Sequence, residues 1–295
     1  MGRDLVNGMV LKDRYKVLSS LGKGSFACVY LARDLQWKGN LVALKQIRTD
    51  TFTPDEYRAL NTSFLQEAAF LMTLKHRGLP RVVEFFAEGP CYYLALEWLP
   101  GKTLEETVLT GEEVAEAQVV RWGVDLCNVL TYLHEQKPFP ITLGDLKPSN
   151  AIVKYDGSLA VIDFGLARHY VPTQQKRSFS MVTPGFSPPE QYKGGAADPR
   201  GDIYALGATL YWCLTRSAME KFRFQVPPVR SLREDVSQRM EELLAICLDP
   251  EPRKRFSDVR ALGEHLKLLQ EWLNREEQAI KPSDILSALY KRKKD

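Results

Sequence analysis

The sequence predicts an α+β fold of two lobes, in which a small N-terminal antiparallel sheet with one main helix precedes a larger helical lobe. Two observations support this fold class. Short apolar runs of strand length alternate with turn residues from Tyr15 to Leu99, and one segment of helical spacing interrupts them. Beyond Pro100 and Gly101, the apolar residues recur mainly at helical spacing. The cleft between two such lobes is the expected ligand site.

The first lobe contains five predicted strands and one helix. The strands cover residues 15–21, 28–34, 41–48, 82–88 and 92–97. Helical spacing at Phe64, Ala68, Leu71 and Met72 predicts the helix, over residues 63–74. We therefore place the N-terminal lobe at residues 15–98, after a lead of residues 1–14.

The second lobe is predicted to be mainly helical and to cover residues 99–270. Val120, Val124, Cys127 and Leu133 form an apolar stripe on its first helix. The predicted elements are, in order, a helix over 113–135, strands at 151–154 and 159–162, an irregular stretch from 165 to 200, and helices over 202–215, 236–248 and 259–275. A helical tail of residues 271–295 ends in basic residues.

Composition and charge exclude several classes of function. The 295 residues carry 40 Lys and Arg against 37 Asp and Glu, so the net charge of +3 gives no reason to expect a nucleic-acid partner. The five cysteines lack Cys-x-x-Cys spacing, which indicates buried free thiols in a reducing compartment. No stretch has the apolar length of a membrane span. We expect a cytoplasmic chain, with membrane contact only through the basic tail and a membrane-linked context left open.

Two features of the first lobe are compatible with a phosphate site but are weak when taken singly. The turn Gly22-Lys23-Gly24 joins two predicted strands, where glycine lets the backbone approach a phosphate closely, although an ordinary hairpin is the commoner explanation. Lys45 lies on an apolar strand, and Glu67 on the following helix is its natural ionic partner. For Lys45 considered alone, the favoured interpretation is a side chain that points to solvent.

The most informative segments are a polar loop and a later turn: Gly144-Asp145-Leu146-Lys147-Pro148-Ser149-Asn150 and Asp163-Phe164-Gly165. Phosphoryl transfer needs a carboxylate near the nucleophile, oxygen ligands for Mg²⁺ and a cation for the developing charge. Asp145, Asn150, Asp163 and Lys147 supply these groups. The ordered series of Gly-rich turn, strand lysine, helix glutamate, polar loop and Asp-Phe-Gly turn predicts an ATP-dependent phosphotransferase.

With these motifs the chain resembles the eukaryotic-type protein kinases over residues 15–269, and the resemblance implies the two-lobed protein-kinase fold. It continues in the Pro-Pro-Glu segment at residues 188–190 and in Arg255, which is placed to pair with Glu190. A lysine followed by proline after the loop aspartate is the form found in serine/threonine kinases. The run 183–192 is most similar to bacterial Ser/Thr kinases, including those of cyanobacteria and Gram-positive bacteria.

The resemblance implies ATP with Mg²⁺, or with Mn²⁺ in its place, bound between the lobes. The residues implied to enclose the nucleotide are Leu21, Gly22, Lys23, Gly24, Val29, Ala43, Lys45, Leu96, Glu97, Leu99 and Ile152. Leu21, Ala43 and Ile152 would sandwich the adenine, and the backbone of the segment between the lobes would bind its edge. Lys45, held in place by Glu67, would contact the phosphates.

The resemblance also implies catalytic and metal-binding roles, for Lys45, Glu67, Asp145, Lys147, Asn150, Asp163 and Thr183. Asn150 and Asp163 would bind the metal. Lys147 would steady the transferred phosphoryl group, and Asp145 would orient the substrate hydroxyl. Thr183 would help to fix Asp145 and Lys147.

The chain departs from the family at its His-Arg-Asp motif, which reads Leu143-Gly144-Asp145 here. Leu143 can fill the position of the histidine by apolar contact with Phe164 and Leu71. The missing arginine is the one that pairs with a phosphorylated activation loop in many kinases. We therefore hypothesise that this kinase does not depend on activation-loop phosphorylation. Gly144 is also expected to loosen the loop backbone.

Protein substrates with serine or threonine are implied, with self-phosphorylation and a homodimer left open. Leu143 and Gly144 motivate an alternative, which is a nucleotide-binding pseudokinase or low-activity scaffold that acts by protein contact. The retained Lys45, Asp145 and Asp163 argue against it. A small-molecule kinase on a related fold is disfavoured by the Pro-Pro-Glu segment.

Overall fold

The computed structural model describes residues 4–23, 27–37, 39–47, 54–89, 91–170, 182–194 and 198–279. Its strands are β1 (Val10–Leu11), β2 (Tyr15–Lys23), β3 (Ala27–Asp34), β4 (Leu41–Ile47), β5 (Val82–Glu88), β6 (Cys91–Glu97), β7 (Gly101–Thr103), β8 (Ile141–Thr142), β9 (Ala151–Lys154), β10 (Leu159–Val161) and β11 (Arg168–His169). Its α-helices are α1 (Pro54–Thr73), α2 (Leu104–Thr110), α3 (Glu116–His134), α4 (Pro189–Tyr192), α5 (Pro199–Thr215), α6 (Gln238–Cys247) and α7 (Val259–Ala279). An antiparallel sheet with one helix is thus followed by a mainly helical lobe, as predicted.

The first lobe is built on a six-stranded antiparallel sheet with the order β1-β2-β3-β4-β6-β5. The alternation of side chains along β4 gives the sheet two different faces. Val42 and Leu44 are buried on one face, in an apolar cluster that includes Tyr15. Leu94 of β6 belongs to a second cluster, which contains the buried residues of α1. Lys45 alternates with Leu44 and therefore lies on the side of the sheet that α1 covers.

The sheet and α1 both begin earlier than the sequence predicts. β1 lies in the predicted lead and pairs with β2 through Val10 and Lys16. α1 begins at Pro54 and not at residue 63. The polar start of this helix lacks the apolar repeat on which the prediction rested, although proline suits a first helical turn. Residue 48, the predicted end of β4, lies outside the described residues.

The helical lobe is organised around α3 and α5. Both helices carry many buried apolar residues, and α5 is buried along almost its whole length. Strand β8 pairs with β11 through Thr142 and Arg168, so the segment before the polar loop lies beside the segment after the Asp-Phe-Gly turn. β11 and α4 fall in the stretch predicted as irregular, because elements of two to four residues are too short to show a period.

The C-terminal helix α7 runs through the predicted boundary at residue 270 and ends at Ala279. Residues 280–295 of the predicted tail lie outside the described residues. The five cysteines are buried and free, as predicted. None of the helices in the described ranges combines the length and the apolar character that crossing a bilayer requires.

Candidate active site

A buried ion pair links β4 to α1. The Lys45 ammonium lies 2.7 Å from Glu67 Oε1 and 2.8 Å from Oε2, and it lies 3.0 Å from Asp163 Oδ1. The Lys45 and Glu67 side chains are only 13% and 2% exposed. The predicted partner is therefore present. The solvent-pointing orientation favoured for Lys45 taken singly is wrong, because the alternation of β4 turns this side chain toward α1.

Lys45 forms ion pairs with two carboxylates in this pocket, those of Glu67 and Asp163. Burial lowers the pKa of Lys45, but the charges of Asp163 and Glu67 raise it by more, so the ammonium stays charged. Burial raises the pKa of Asp163, but the Lys45 ammonium and the Gly165 N–H lower it by more and hold it below its ordinary value. The Gly165 N–H donates to Asp163 Oδ1 at 3.0 Å. Asp163 is therefore ionised at neutral pH, as a metal ligand must be.

A second group of polar side chains converges on Asp145. Thr183 Oγ1 donates to Asp145 Oδ1 at 2.5 Å, while Lys147 Nζ donates to Asp145 Oδ2 at 2.8 Å and to Thr183 Oγ1 at 3.2 Å. Asn150 Nδ2 donates to the Asp145 carbonyl oxygen at 2.9 Å and to Oδ2 at 3.0 Å. A 3-10 turn that begins at Pro148 brings Asn150 back toward Asp145. Three residues with predicted roles thus lie within hydrogen-bond distance of Asp145.

The backbone ahead of Asp145 is held by Asp202. The buried Asp202 carboxylate accepts hydrogen bonds from the Leu143 N–H at 2.9 Å and the Gly144 N–H at 2.8 Å, and it lies 2.8 Å from His134 Nε2. The sequence predicts a helix that starts at Asp202 and assigns this residue no partner. α5 begins instead at Pro199. An acidic residue inside an otherwise apolar helix is the signal that could have revealed an internal partner.

Gly144 occupies a backbone position that suits glycine alone. Its φ is +79°, and a Cβ at this position would lie 3.0 Å from the Leu166 carbonyl oxygen. The neighbouring Leu143 is buried in the same apolar cluster as Phe164 and Leu71, as the apolar substitution for histidine requires. Both departures from the His-Arg-Asp motif are thus accommodated by the folded loop.

Most of the residues predicted to enclose the nucleotide lie on strands of the two lobes. Gly22 pairs with Val29 across β2 and β3, and Ala43 pairs with Leu96 across β4 and β6. Ile152 lies on β9 of the second lobe. The remaining ones are Leu21 and Lys23 on β2, Glu97 at the end of β6, Leu99 just after it, and Gly24, which lies outside the described residues. Their contact with a nucleotide stays a prediction.

The Pro-Pro-Glu segment is anchored by the predicted ion pair. Arg255 Nη1 and Nη2 donate to Glu190 Oε1 and Oε2 at 2.7 Å and 2.8 Å. The Arg255 side chain is 0% exposed. A bidentate arginine–carboxylate pair fixes orientation as well as distance. Helix α4, which carries Glu190, is therefore tied firmly to the segment ahead of α7.

Comparison with known proteins decides the family. The family model described as the protein kinase domain matches residues 15–268. The chain belongs to the protein kinase family. The serine/threonine-protein kinase PknA of Nostoc is 30% identical to this kinase over 273 residues, and serine/threonine-protein kinase B of Synechocystis is 31% identical over 279. These alignments cover 88% and 89% of the kinase chain but 48% of each relative, so the chain spans about half the length of those proteins.

Other relatives agree with this assignment. The serine/threonine-protein kinase PrkC of Bacillus subtilis is 25% identical to the kinase over 272 residues. A crystal structure of the PknI kinase domain from Mycobacterium tuberculosis matches with a TM-score of 0.73 at 20% identity, covering 91% of this chain and 100% of that one. At that identity the structural match shows the fold alone. The two-lobed kinase fold and the likeness to bacterial Ser/Thr kinases are both confirmed.

Proposed function

We propose that this kinase domain transfers the γ-phosphoryl group of Mg²⁺-bound ATP to serine or threonine hydroxyls of proteins. The observation that carries the proposal is the convergence of Lys147, Asn150 and Thr183 on the Asp145 carboxylate. Thr183 is far from the others in sequence, so a local polar turn does not account for the arrangement. The curated relatives are named serine/threonine-protein kinases, which also supports the proposal.

In this proposal Asp145 receives the substrate hydroxyl. Its carboxylate has a fixed orientation because Thr183 and Lys147 donate to its two oxygens. A hydroxyl that donates to this carboxylate is held ready for attack and can pass its proton to Asp145. The Lys147 ammonium supplies positive charge beside the acceptor, where the transferred phosphoryl group carries negative charge.

The donor set fits ATP with Mg²⁺. Mg²⁺ is usually held by one or two protein oxygens together with phosphate and water oxygens. Asn150 uses Nδ2 toward Asp145, which leaves its amide oxygen for a metal, and Asp163 is an ionised carboxylate. When bound, the ion would offset the charge of the phosphates, and Mn²⁺ accepts the same oxygen ligands. Lys45, positioned by Glu67, would hold the phosphates directly.

We further infer that activity does not depend on phosphorylation of the activation loop. Gly144 has no side chain with which to receive a phosphate. Its positive φ and its approach to the Leu166 carbonyl also disfavour any larger residue there. Asp202 binds the loop through two backbone N–H groups instead. The loop thus has an anchor that belongs to the chain itself and needs no added phosphate.

A nucleotide-binding pseudokinase or low-activity scaffold is the second candidate. The replacement of histidine and arginine by Leu143 and Gly144 favours it. The convergence of Lys147, Asn150 and Thr183 on Asp145 weighs against it, because a protein that transfers no phosphate has no need of a positioned acceptor carboxylate. Turnover separates the two candidates.

The partners follow from the same proposal. Protein substrates with an accessible serine or threonine, this chain included, would bind at Asp145. We also propose a homodimer through the sheet lobe, where Leu35, Trp37 and Leu41 are exposed apolar side chains near one turn. A cytoplasmic location, domain boundaries at residues 15, 99 and 271, and lipid contact through the basic tail stay predictions.

Incorporation of radiolabelled phosphate tests the proposal. Wild type and Asp145→Asn would be incubated with labelled ATP, Mg²⁺ and a generic basic protein substrate. We expect Asp145→Asn to lose about 10²–10⁴-fold in rate. Asp156→Asn, which alters an exposed carboxylate on the turn after β9, is the matched control and should retain the wild-type rate. Mass spectrometry of the products would locate self-phosphorylated residues.

Equal incorporation by wild type and Asp145→Asn would contradict the proposal. Nucleotide binding without incorporation by either protein would favour the pseudokinase.

A further inference from the structure

A buried glutamine of α4 contacts the peptide that leads into Asp145. Gln191 is 6% exposed, and its Nε2 donates to the Gly144 carbonyl oxygen at 3.4 Å. That carbonyl belongs to the peptide bond between Gly144 and Asp145. Gln191 therefore acts on the backbone immediately before the proposed acceptor carboxylate.

The Gly144 peptide needs such a contact more than most peptides do. A glycine at a φ of +79° has many other accessible conformations, so nothing intrinsic to Gly144 holds it there. Its N–H is held by Asp202 at 2.8 Å, and its carbonyl oxygen is held by Gln191. The two contacts restrain both ends of the residue, and the direction of Asp145 depends on both.

Gln191 is itself rigidly supported. The residue before it, Glu190, is fixed by the bidentate contact with Arg255. Arg255 Nε also donates to the Asp249 carbonyl oxygen at 2.8 Å, and its Nη1 donates to the Arg200 carbonyl oxygen at 3.0 Å. A continuous path of polar contacts therefore connects the segment ahead of α7 to the catalytic loop.

We propose that Gln191 is a positioning residue, which together with Asp202 holds the catalytic loop in its working conformation in place of a phosphate–arginine contact. This inference rests on the proposed kinase function. In this proposal Gln191 acts on the reacting groups through the Gly144 carbonyl. Its loss should therefore slow transfer without weakening the binding of ATP.

Two substitutions remove the donor. Gln191→Glu keeps the shape but places a carboxylate against a carbonyl oxygen, and Gln191→Met keeps the length without any hydrogen bond. The matched control is Gln136→Glu, because Gln136 Nε2 makes the same kind of bond, to the Tyr132 carbonyl oxygen at 2.8 Å, at the end of α3. All proteins would be compared by kcat, by KM for ATP, and by hydrogen–deuterium exchange of peptides from the catalytic loop.

We expect both Gln191 variants to lose about five- to tenfold in kcat with KM for ATP changed less than about twofold. Exchange should become faster in residues 142–147, and the Gln136→Glu control should match wild type in all three measurements. Unchanged kcat and unchanged exchange in both variants would overturn the inference, as would a loss confined to ATP binding. If wild type itself transfers no phosphate, the proposed function fails, and the exchange comparison alone still decides whether Gln191 positions the loop.

Discussion

The two halves of the catalytic loop are held in different ways. Residues 145–150 are held by side chains that bind one another, through Asp145, Lys147 and Asn150, with Thr183 added from the activation segment. Leu143 and Gly144 are held through their backbone N–H and carbonyl groups, which bind side chains from elsewhere in the helical lobe. The first half carries the groups that the proposed chemistry needs. The second half carries none of them and serves to place the first.

This difference explains how a kinase can lose its motif on one side of Asp145 and keep it on the other. Side chains that touch ATP, metal or substrate have few chemical substitutes. A backbone anchor needs only a donor or acceptor at the correct distance, and Asp202 supplies an acceptor that requires no side chain at residue 144. In the proposed function, the loss of the arginine would remove a route of regulation and leave the chemistry in place.

After Asp145→Asn, the largest effect is expected in the side-chain half, from Lys147→Met. The substitution removes the cation next to Asp145, so transfer should slow by about 10²–10³-fold. The unfolding midpoint should change little, because the ammonium is partly exposed. Lys154→Met on β9 is the control and should keep the wild-type rate in the same assay. Full activity of the Lys147→Met protein would show that Lys147 does not take part in phosphoryl transfer.

The next effect is expected in the backbone half, from Asp202→Asn. Both carboxylate oxygens are occupied, so the amide group must face a buried donor and leave it without a partner. We expect a loss of about 2–3 kcal/mol in the free energy of unfolding, measured by denaturant titration. Asp125→Asn is the control, because Asp125 accepts a single backbone bond, from the Leu159 N–H, and the amide oxygen can keep it. Equal losses of unfolding free energy in Asp202→Asn and Asp125→Asn would contradict the role of Asp202 in holding the loop backbone.

A smaller effect is expected from Gly144→Ala. The backbone must keep a positive φ and the new Cβ must approach the Leu166 carbonyl oxygen, which together should cost about 1–2 kcal/mol and slow transfer. Gly157→Ala is the matched control. Gly157 has nearly the same φ, +80°, but no atom lies within 4 Å of the position that its Cβ would take. This substitution should cost about 1 kcal/mol and leave the rate unchanged. A similar loss of rate in Gly144→Ala and Gly157→Ala would show that the loss does not arise in the catalytic loop.

The smallest effect concerns the helix that carries Asp202. Asp198 caps α5 through the Arg200 N–H. Burial raises the pKa of Asp198, but its bonds with the Arg200 side chain and N–H lower it by more, so its folded pKa lies below the ordinary 3.8. Asp198→Ala should cost about 1 kcal/mol at neutral pH.

The sign of the pH dependence follows from that lowered pKa. The contribution of Asp198 is complete above its unfolded pKa and is lost as the pH falls through the lower folded pKa. The difference from wild type should therefore shrink below about pH 4 in unfolding titrations. Glu251→Ala removes an exposed carboxylate and should have no measurable effect at any pH. A stability difference between wild type and Asp198→Ala that grows on acidification would contradict the lowered folded pKa of Asp198.

Sequence reasoning was most successful where a period or a motif was long enough to be recognised. The strands of the sheet and the helices α3 and α7 have strong apolar periods, and the partners Lys45 with Glu67 and Glu190 with Arg255 follow from motif order. The solvent-pointing orientation predicted for Lys45 taken singly was wrong because it took no account of Glu67. α2, α4, β7 and β11 were missed because they are too short to show a period.

The anchors of the loop backbone could not be predicted in the same way. Asp202 and Gln191 bind an N–H or a carbonyl oxygen, and every residue except proline has both groups, so no residue pattern reveals the partner. Gly144 was expected to loosen the loop, because an isolated glycine is free to move. In the folded chain it is held by contacts that come from 47 and 58 residues further along the sequence.

The central claim is that this loop works without a phosphorylated activation loop. The most direct measurement is the kcat of purified wild-type protein before and after complete phosphatase treatment, with loss of phosphate verified by mass spectrometry and Asp145→Asn as the background. We predict rates that agree within about twofold, because Asp202 and Gln191 hold the loop in either state. A fall of tenfold or more, toward the Asp145→Asn background, would contradict the account.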